Sequence, residues 1–310
     1  MTRLALLAAL VIAGSAAAAA QPDLTDLHIQ KVRDNLYVVT GGRGTGASAA
    51  TISGNTSVFV TDAGVVLIDT KLPTFGQGIL DAVKTVTPKP VTTIINTHTH
   101  NDHTGSNNEL PRGLQIIAHV NTKSNMEKMD LFKRANAALP TRTFSDRLTL
   151  FGGKDRIELY YFGAGHTNGD TVIVFPALRT AVMGDLFARK WAPLVDAANG
   201  GSATAFPDTL AKALAGIKDV DNVITGHSTR TVGRGATATF LASGPVMPWR
   251  DLQEYAQFTR TFVTAAQTAM KAGKSVDDAL AGLKLPDAYQ DYDMTNARAD
   301  IQRVYEEAKQ

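Results

Sequence analysis

The sequence predicts an α/β protein, and three observations lead to that class. Short apolar runs typical of strands alternate with segments of helical periodicity through both halves of the chain. Four of the strand-like runs lead into a histidine or an aspartate, as in α/β sheets that form sites beyond the carboxyl ends of their strands. The 310 residues are 44% hydrophobic, which allows a sizeable core in one large domain or two small ones.

The first twenty residues differ from the rest of the chain. Residues 1–20 begin with the positively charged "MTR", continue as the apolar "LALLAALVIAG" and end in "SAAAAA". This order is typical of a secretory signal peptide, and the apolar run is shorter than the roughly 20 residues that a membrane span requires. We therefore expect cleavage after Ala20, a periplasmic or secreted mature protein, and no membrane association after cleavage.

The first half of the mature chain predicts a meander of strands followed by alternating helices and strands. The runs "LYVV", "SVFVT" and "VVLIDT" lie between residues 36 and 69, and His28 falls in the linker before them. The glycine-rich loop 41–48 is interpreted as a hairpin loop, because no helix follows it as a nucleotide-binding loop requires. Further along, the pattern predicts a helix over 75–86, strands over 91–96 and 114–119, and a helix over 121–135 capped by Asn121.

The second half returns to strands and ends in helices. Strands are predicted from residue 148 to residue 184, followed by a helix over 204–217 and the strand "NVIT". Helices over 249–272, "SVDDALAGL" and "NARADIQRVYEEAK" complete the chain. We interpret residues 21–240 as one domain and residues 241–310 as a helical extension packed on that domain.

Composition restricts the chemistry and the partners. The chain has no cysteine, which excludes thiolate catalysis and cysteine metal ligands. Its formal net charge of +2 gives no reason to expect nucleic acid as a partner. We expect a small-molecule substrate, and the oligomeric state is left open.

Most of the histidines fall at the ends of predicted strands. Three lie within "THTHNDHTG", where alternate residues of an extended segment project to one side and can hold one ion. Imidazole and carboxylate without thiolate suit zinc, and iron or manganese is also compatible. The alternatives are a closed structural zinc site or solvated polar loops, but a structural site needs only four ligands. The sequence offers seven candidate ligands, which is more than one structural site needs. They are His98, His100, Asp102, His103, His166, Asp185 and His227.

"THTHNDHTG" resembles the H-x-H-x-D-H motif of the metallo-β-lactamase fold superfamily, and "GAGHTNGD", "VMGDLF", "TGHS" and "VVLIDT" resemble its other motifs. The resemblance implies an αβ/βα sandwich of two mixed sheets flanked by helices. It implies two zinc ions per chain holding a hydroxide that attacks an acyl carbonyl, with Asp102 as proton carrier and Asp69 orienting a ligand or the water. The implied ligands are His98, His100 and His166 for the first ion, Asp102, His103 and His227 for the second, and Asp185 between them.

The resemblance leaves several substrates open. A bridging Asp185 is similar to the thioesterase, lactonase and phosphodiesterase branches, whereas export and His103 are similar to the cysteine-free β-lactamases. We expect a hydrolase of a lactone, lactam or thioester. A true periplasmic β-lactamase, a non-catalytic metal-binding or relay protein, and a mono-iron oxygenase of the same fold are the alternatives. Substrate contacts are expected from Phe187, Trp191 and Arg230 and from loop 41–48, while the C-terminal helices could cover the site, form a dimer surface or complete the core.

Overall fold

Two mixed sheets pack face to face in the computed structural model, which describes residues 27–44, 51–133, 138–232, 239–242 and 244–309. The first sheet has seven strands in chain order. Strands β1 to β4 run antiparallel, and β4 to β7 run parallel. These strands are β1 (His28–Arg33), β2 (Leu36–Thr40), β3 (Thr56–Thr61), β4 (Gly64–Ile68), β5 (Val91–Ile95), β6 (Gln115–His119) and β7 (Arg142–Phe144).

The second sheet has six strands in the order β15-β12-β11-β10-β9-β8. All neighbours are antiparallel except β11 and β12, which are parallel. Its strands are β8 (Arg147–Leu150), β9 (Ile157–Tyr160), β10 (Val172–Phe175), β11 (Thr180–Val182), β12 (Asn222–Ile224) and β15 (Val246–Pro248). A separate hairpin pairs β13 (Thr229–Val232) with β14 (Thr239–Ala242).

Strand alternation explains the layers. Every residue of β4 is buried, because Val66 and Ile68 face the second sheet while Val65 and Leu67 face the outer side. The outer side of the first sheet packs against α1 (Gly76–Lys84). The outer side of the second sheet packs against α5 (Phe206–Gly216) and α6 (Trp249–Lys271). The result is the predicted sandwich of two mixed sheets flanked by helices.

Two predicted elements differ in the structure. His28 does not lie in a linker but begins β1, an edge strand in which only Ile29 and Val32 are half-buried, so its apolar pattern is weak. The helix predicted over 121–135 is divided into α3 (Val120–Met126) and α4 (Asp130–Lys133). The helix that precedes them in the chain is α2 (Asn101–Thr104). The N-cap of α3 is His119 rather than the predicted Asn121. The His119 side chain accepts a hydrogen bond from the backbone N–H of Asn121 at 3.2 Å.

The C-terminal residues complete both the sheet and the core. Beyond residue 240, β15 pairs with β12 at the edge of the second sheet, so the sheet continues past the predicted domain boundary. Helix α6 packs against α5, α7 (Val276–Ala281) and α8 (Ala297–Glu307). The division at residue 240 stays a prediction.

The predicted signal peptide, residues 1–20, lies outside the described residues. Within the described ranges, no helix is both long enough and apolar enough to cross a membrane.

Candidate metal centre

Loops at one edge of the two sheets bring the predicted ligands together. The turn after β5 supplies His98 and His100, and the short helix α2 that follows it supplies Asp102 and His103. The loop between β9 and β10 supplies His166, while Asp185 and His227 follow β11 and β12. The segments that follow β5, β9, β11 and β12 thus lie at one edge of the sandwich, which is where the rule of strand ends predicts a site.

The side chains form two groups whose facing atoms lie close enough for metal binding. One group is His98, His100, His166 and Asp185, and the other is Asp102, His103 and His227. The candidate ligand atoms of each group all lie within 4.8 Å of one another. Asp185 touches both groups, since its Oδ2 lies 3.6 Å from His166 Nε2 and 3.4 Å from His227 Nε2, and its Oδ1 lies 3.4 Å from His103 Nε2.

Hydrogen bonds on the outer nitrogens orient the histidine rings. His100 Nε2 lies 2.7 Å from Asp196 Oδ2, His166 Nδ1 lies 2.6 Å from Leu194 O, and His103 Nδ1 lies 2.8 Å from Asp69 Oδ2. Carbonyl and carboxylate oxygens only accept hydrogen bonds, so each outer nitrogen carries the proton. The nitrogen that faces the cluster then has a free lone pair, which is the tautomer a metal ligand requires.

Asp69 supports both groups from behind. Its Oδ1 accepts from the Thr97 N–H at 2.8 Å and its Oδ2 from Thr97 Oγ1 at 2.7 Å. The same hydroxyl therefore accepts from His98 Nδ1 at 2.9 Å. Asp69 is 2% exposed and adopts a left-handed φ of 63°, a backbone conformation held by this dense bonding. Asp69 thus orients the His103 ring by a direct hydrogen bond and the His98 ring through Thr97.

Asp196 was not identified from the sequence. Its Oδ1 accepts from the backbone N–H groups of Ala198 and Asn199, and its Oδ2 from His100 and the Asn199 side chain. These hydrogen bonds, led by that from His100, hold the pKa of Asp196 below its usual range. Only the turn-forming "DAANGG" pattern marks this residue in the sequence, and such a pattern says nothing of a partner 96 residues away.

Burial and charge separate the pKa values of the histidines. Burial lowers the pKa of His98 well below its usual value and that of His166 to about 4, so both rings are neutral. Burial also opposes protonation of His103, but the carboxylates of Asp185, Asp102 and Asp69 outweigh it and raise the pKa of His103 well above its usual value. The carboxylates around His103 therefore favour a positive charge at this position, which a bound cation would supply in place of the proton.

Two buried atoms in the cluster lack hydrogen-bond partners in the described part of the chain. They are His98 Nε2 and Asp185 Oδ1, both facing the other ligand atoms. Leaving a buried acceptor unsatisfied costs about 1–3 kcal/mol, and more for a charged group. Divalent metal ions would satisfy both, and imidazole with carboxylate suits zinc, iron or manganese. The residues present therefore fit a metal centre.

Glycines let two loops approach the cluster. A Cβ on Gly226 would lie 2.0 Å from Asp185 Oδ1 and 2.7 Å from Gly184 O. A Cβ on Gly54 would lie 2.3 Å from His103 Cε1. The buried Lys71 donates hydrogen bonds to Gly41 O and Gly54 O at 3.0 Å, which ties the start of the glycine-rich loop to the segment that contacts His103. Lys71 was not identified from the sequence either.

A cavity of about 320 Å³ opens onto the cluster. Its lining joins four cluster residues with seven others, namely His100, Asp102, Asp185 and His227 with Thr51, Ile52, Trp191, Leu194, Asp293, Thr295 and Asn296. The Trp191 ring stacks on His227 with the ring centres 6.0 Å apart. This volume is at the small end of the range for sites that bind small molecules.

The other predicted contacts have different positions. Phe187 does not line the cavity, because it is fully buried in the core with its ring 4.9 Å from that of Tyr255. Arg230 lies in β13, and its side chain is outside the described part of the chain. Residues 45–48 of loop 41–48 are also outside the described part. His119 is buried away from the cluster, and its ring stacks on that of Tyr161 with the ring centres 4.0 Å apart.

Comparisons with known proteins agree with this geometry. Residues 50–227 match the metallo-beta-lactamase superfamily. The chain is 29% identical over 165 residues to the metallo-beta-lactamase type 2 of Elizabethkingia meningoseptica, covering 51% of this chain and 61% of that protein. It is 36% identical over 129 residues to the 2,4-dinitroanisole O-demethylase subunit alpha of Nocardioides sp. strain JS1661, covering 40% of this chain and 38% of that protein. Thus it spans less than two thirds of either relative.

Solved structures share the fold at low sequence identity. A metallo-beta-lactamase from Pontibacter korlensis superimposes with a TM-score of 0.59 at 21% identity, covering 76% of this chain and 99% of that one. The sec-alkylsulfatase Pisa1 from Pseudomonas sp. superimposes with a TM-score of 0.69 at 15% identity, covering 91% of this chain and 50% of that one. The fold likeness to Pisa1 therefore extends over more of the chain.

Proposed function

The chain belongs to the metallo-β-lactamase superfamily, and on that premise we propose that it is a metal-dependent hydrolase with two divalent ions, preferably zinc. The proposed reaction is the opening of an acyl bond of a small molecule, in a lactone, a lactam or a thioester. The proposed location is the periplasm or the exterior, on the strength of the N-terminal sequence.

The position of Asp185 between the two groups of ligands carries this proposal. A closed structural site would need only one group of four. Here a second group of three follows at once, and the carboxylate of Asp185 lies within 3.6 Å of a histidine nitrogen from each group. Two adjacent subsites that share a carboxylate and open onto a cavity are typical of catalysis by paired metal ions.

The chain's own residues supply orientation and proton transfer. Divalent ions bound here would polarise the substrate carbonyl and lower the pKa of water toward 7. Asp69 and Asp196 hold the rings of His103 and His100 so that their inner nitrogens are directed into the cluster, where they would bind the ions. Asp102 is the cluster carboxylate with the most exposure, at 19% of its side chain, and its Oδ2 lies 3.3 Å from His227 Nε2. It can take a proton from water and deliver it to the leaving group.

The names of four relatives support an acyl substrate, whereas that of the O-demethylase subunit does not. Three relatives are metallo-beta-lactamases, and another, from Synechocystis sp. strain PCC 6803, is a hydroxyacylglutathione hydrolase, 31% identical over 118 residues. We therefore take lactone, lactam and thioester as the bonds to compare.

A hydrolysis panel with two site variants tests the proposal. The panel holds a chromogenic cephalosporin, a lactone, a thioester, a phosphodiester and a secondary alkyl sulfate. We expect turnover of one acyl member by the wild type and none above background by Asp102→Ala or Asp185→Ala. Asp130→Ala, which removes a carboxylate that is 89% exposed, should retain full turnover. Undiminished turnover in both site variants would falsify the proposal, and turnover of the sulfate alone would move the reaction to a sulfur centre.

A further inference from the structure

The segment 293–296, just before α8, forms part of the wall of the cavity over the metal centre. Asp293, Thr295 and Asn296 line this cavity together with Trp191 and Leu194. They come from the C-terminal extension, which lies outside the 50–227 range that matches the family. This part of the cavity therefore lies outside the range that matches the family.

Backbone and side-chain bonds fix the segment to the loop that carries Trp191. The Asp293 N–H donates to Lys190 O at 3.0 Å, and the Ala192 N–H donates to Asp293 O at 2.8 Å. Glu254 on α6 accepts from Lys190 Nζ at 3.0 Å and from Tyr292 Oη at 3.1 Å. The wall and the tryptophan are thus held together as one unit before a substrate arrives, which favours specific binding.

Asn296 occupies the N-cap position of α8 but does not cap the helix. Asparagine at this position ordinarily accepts a hydrogen bond from the first turn. Asn296 has φ −86° and ψ −9°, and its side chain makes no capping hydrogen bond. The half-buried amide lines the cavity instead. Its donor and acceptor are both available to a molecule in the cavity.

We propose that Asn296 is a substrate-binding residue that recognises an uncharged polar group, such as an amide or a carbonyl, beside the bond that is hydrolysed. Ile52, Trp191 and Leu194 supply the apolar surface for the rest of the substrate. Among the described lining residues there is no lysine or arginine, so an ionised acid would gain no charge-assisted hydrogen bond from them. This inference rests on the proposed function, because it takes the cavity as the substrate site.

Two thioesters with acyl groups of equal size test the proposal. The phenyl thioester of N-acetylglycine carries an amide where that of 4-methylpentanoic acid carries only carbon. We expect Asn296→Ala to raise KM for the first about three- to tenfold, the loss of one neutral hydrogen bond, with kcat unchanged. The second thioester should respond by less than about twofold, since it cannot bond to the amide. Equal effects on the two thioesters would overturn the proposal.

A matched control and a binding measurement complete the test. Gln302→Ala removes an amide on the same helix that bonds to Glu306 outside the cavity, and it should leave both KM values unchanged. If the wild type hydrolyses neither thioester, the proposed acyl function fails at this bond, and binding is measured instead. Tryptophan fluorescence is measured in a Trp249→Phe background, so that Trp191 alone reports. Its quenching by N-acetylglycinamide, compared with 4-methylpentanamide, should then weaken in Asn296→Ala for the first ligand alone. No binding to the wild type, or an equal loss for both, overturns the assignment.

Discussion

The buried carboxyl of Asp300 makes the stability of the fold depend on pH. Asp300 lies on α8, is 3% exposed, and its Oδ2 has no hydrogen-bond partner within the described ranges. Burial raises its pKa from 3.8 to about 8. Between these values the folded chain keeps a proton that the unfolded chain has lost, so stability falls as the pH rises from about 4 to about 8.

The magnitude follows from the interval between the two pKa values. About 4 units, at about 1.4 kcal/mol each, set a ceiling near 6 kcal/mol. An ionised Asp300 would draw in water or shift α8 rather than remain dry. We therefore expect the free energy of unfolding to fall by about 2–4 kcal/mol over this pH interval because of Asp300. Asp300→Asn keeps the shape and removes the titration. Relative to the wild type, it should gain stability steadily between pH 4.5 and 8 and no further above that.

Urea unfolding of both proteins at pH 4.5, 6, 7.5 and 8.5 measures this difference. Other titrating groups are common to the two proteins and cancel in the comparison. Asp277→Asn, on the neighbouring helix α7 with a side chain that is 72% exposed, is the control and should follow the wild type at every pH. A constant difference between Asp300→Asn and the wild type across the range would refute the reasoning.

Two further predictions concern the support of the metal centre. Asp196→Asn cannot accept all the hydrogen bonds of the carboxylate, so His100 loses its orientation, and metal affinity at the first group should fall about 10- to 100-fold in a chelator competition. Asp208→Asn, at an exposed aspartate, should leave that affinity unchanged. Gly226→Ala places a methyl group 2.0 Å from the Asp185 carboxylate and should lower the metal content measured by mass spectrometry. Gly152→Ala, with open space around it, should retain all its metal. Full metal content in Gly226→Ala would show that the loop yields without disturbing the centre.

The metal centre was predictable because its signals are local. Each candidate ligand follows a strand whose apolar run is visible in the sequence. His98 and His100 lie in and directly after a bend that follows β5, rather than in the predicted extended segment. The strand-end rule then places them at one edge without further information. The same reasoning predicted most helices, since α1, α5 and α6 have clear apolar periodicity.

The missed features depend on contacts between distant residues or on weak patterns. Asp196 meets His100 across 96 positions, and nothing near it in the sequence marks that partner. Phe187 follows Asp185 closely, yet the short 3₁₀ turn between them directs its ring into the core. Asn296 reaches the cavity because α8, which it precedes, packs against α6 and α7. These outcomes follow from tertiary packing, which local periodicity does not encode.

Elemental analysis of the purified mature protein tests the central claim most directly. Two groups of ligands joined by Asp185 predict two divalent ions per chain, with zinc preferred. Two zinc ions per chain, bound to a protein that turns over one acyl substrate, is the predicted result. One iron per chain, with no substrate hydrolysed, would contradict the account and assign the same fold to a different chemistry.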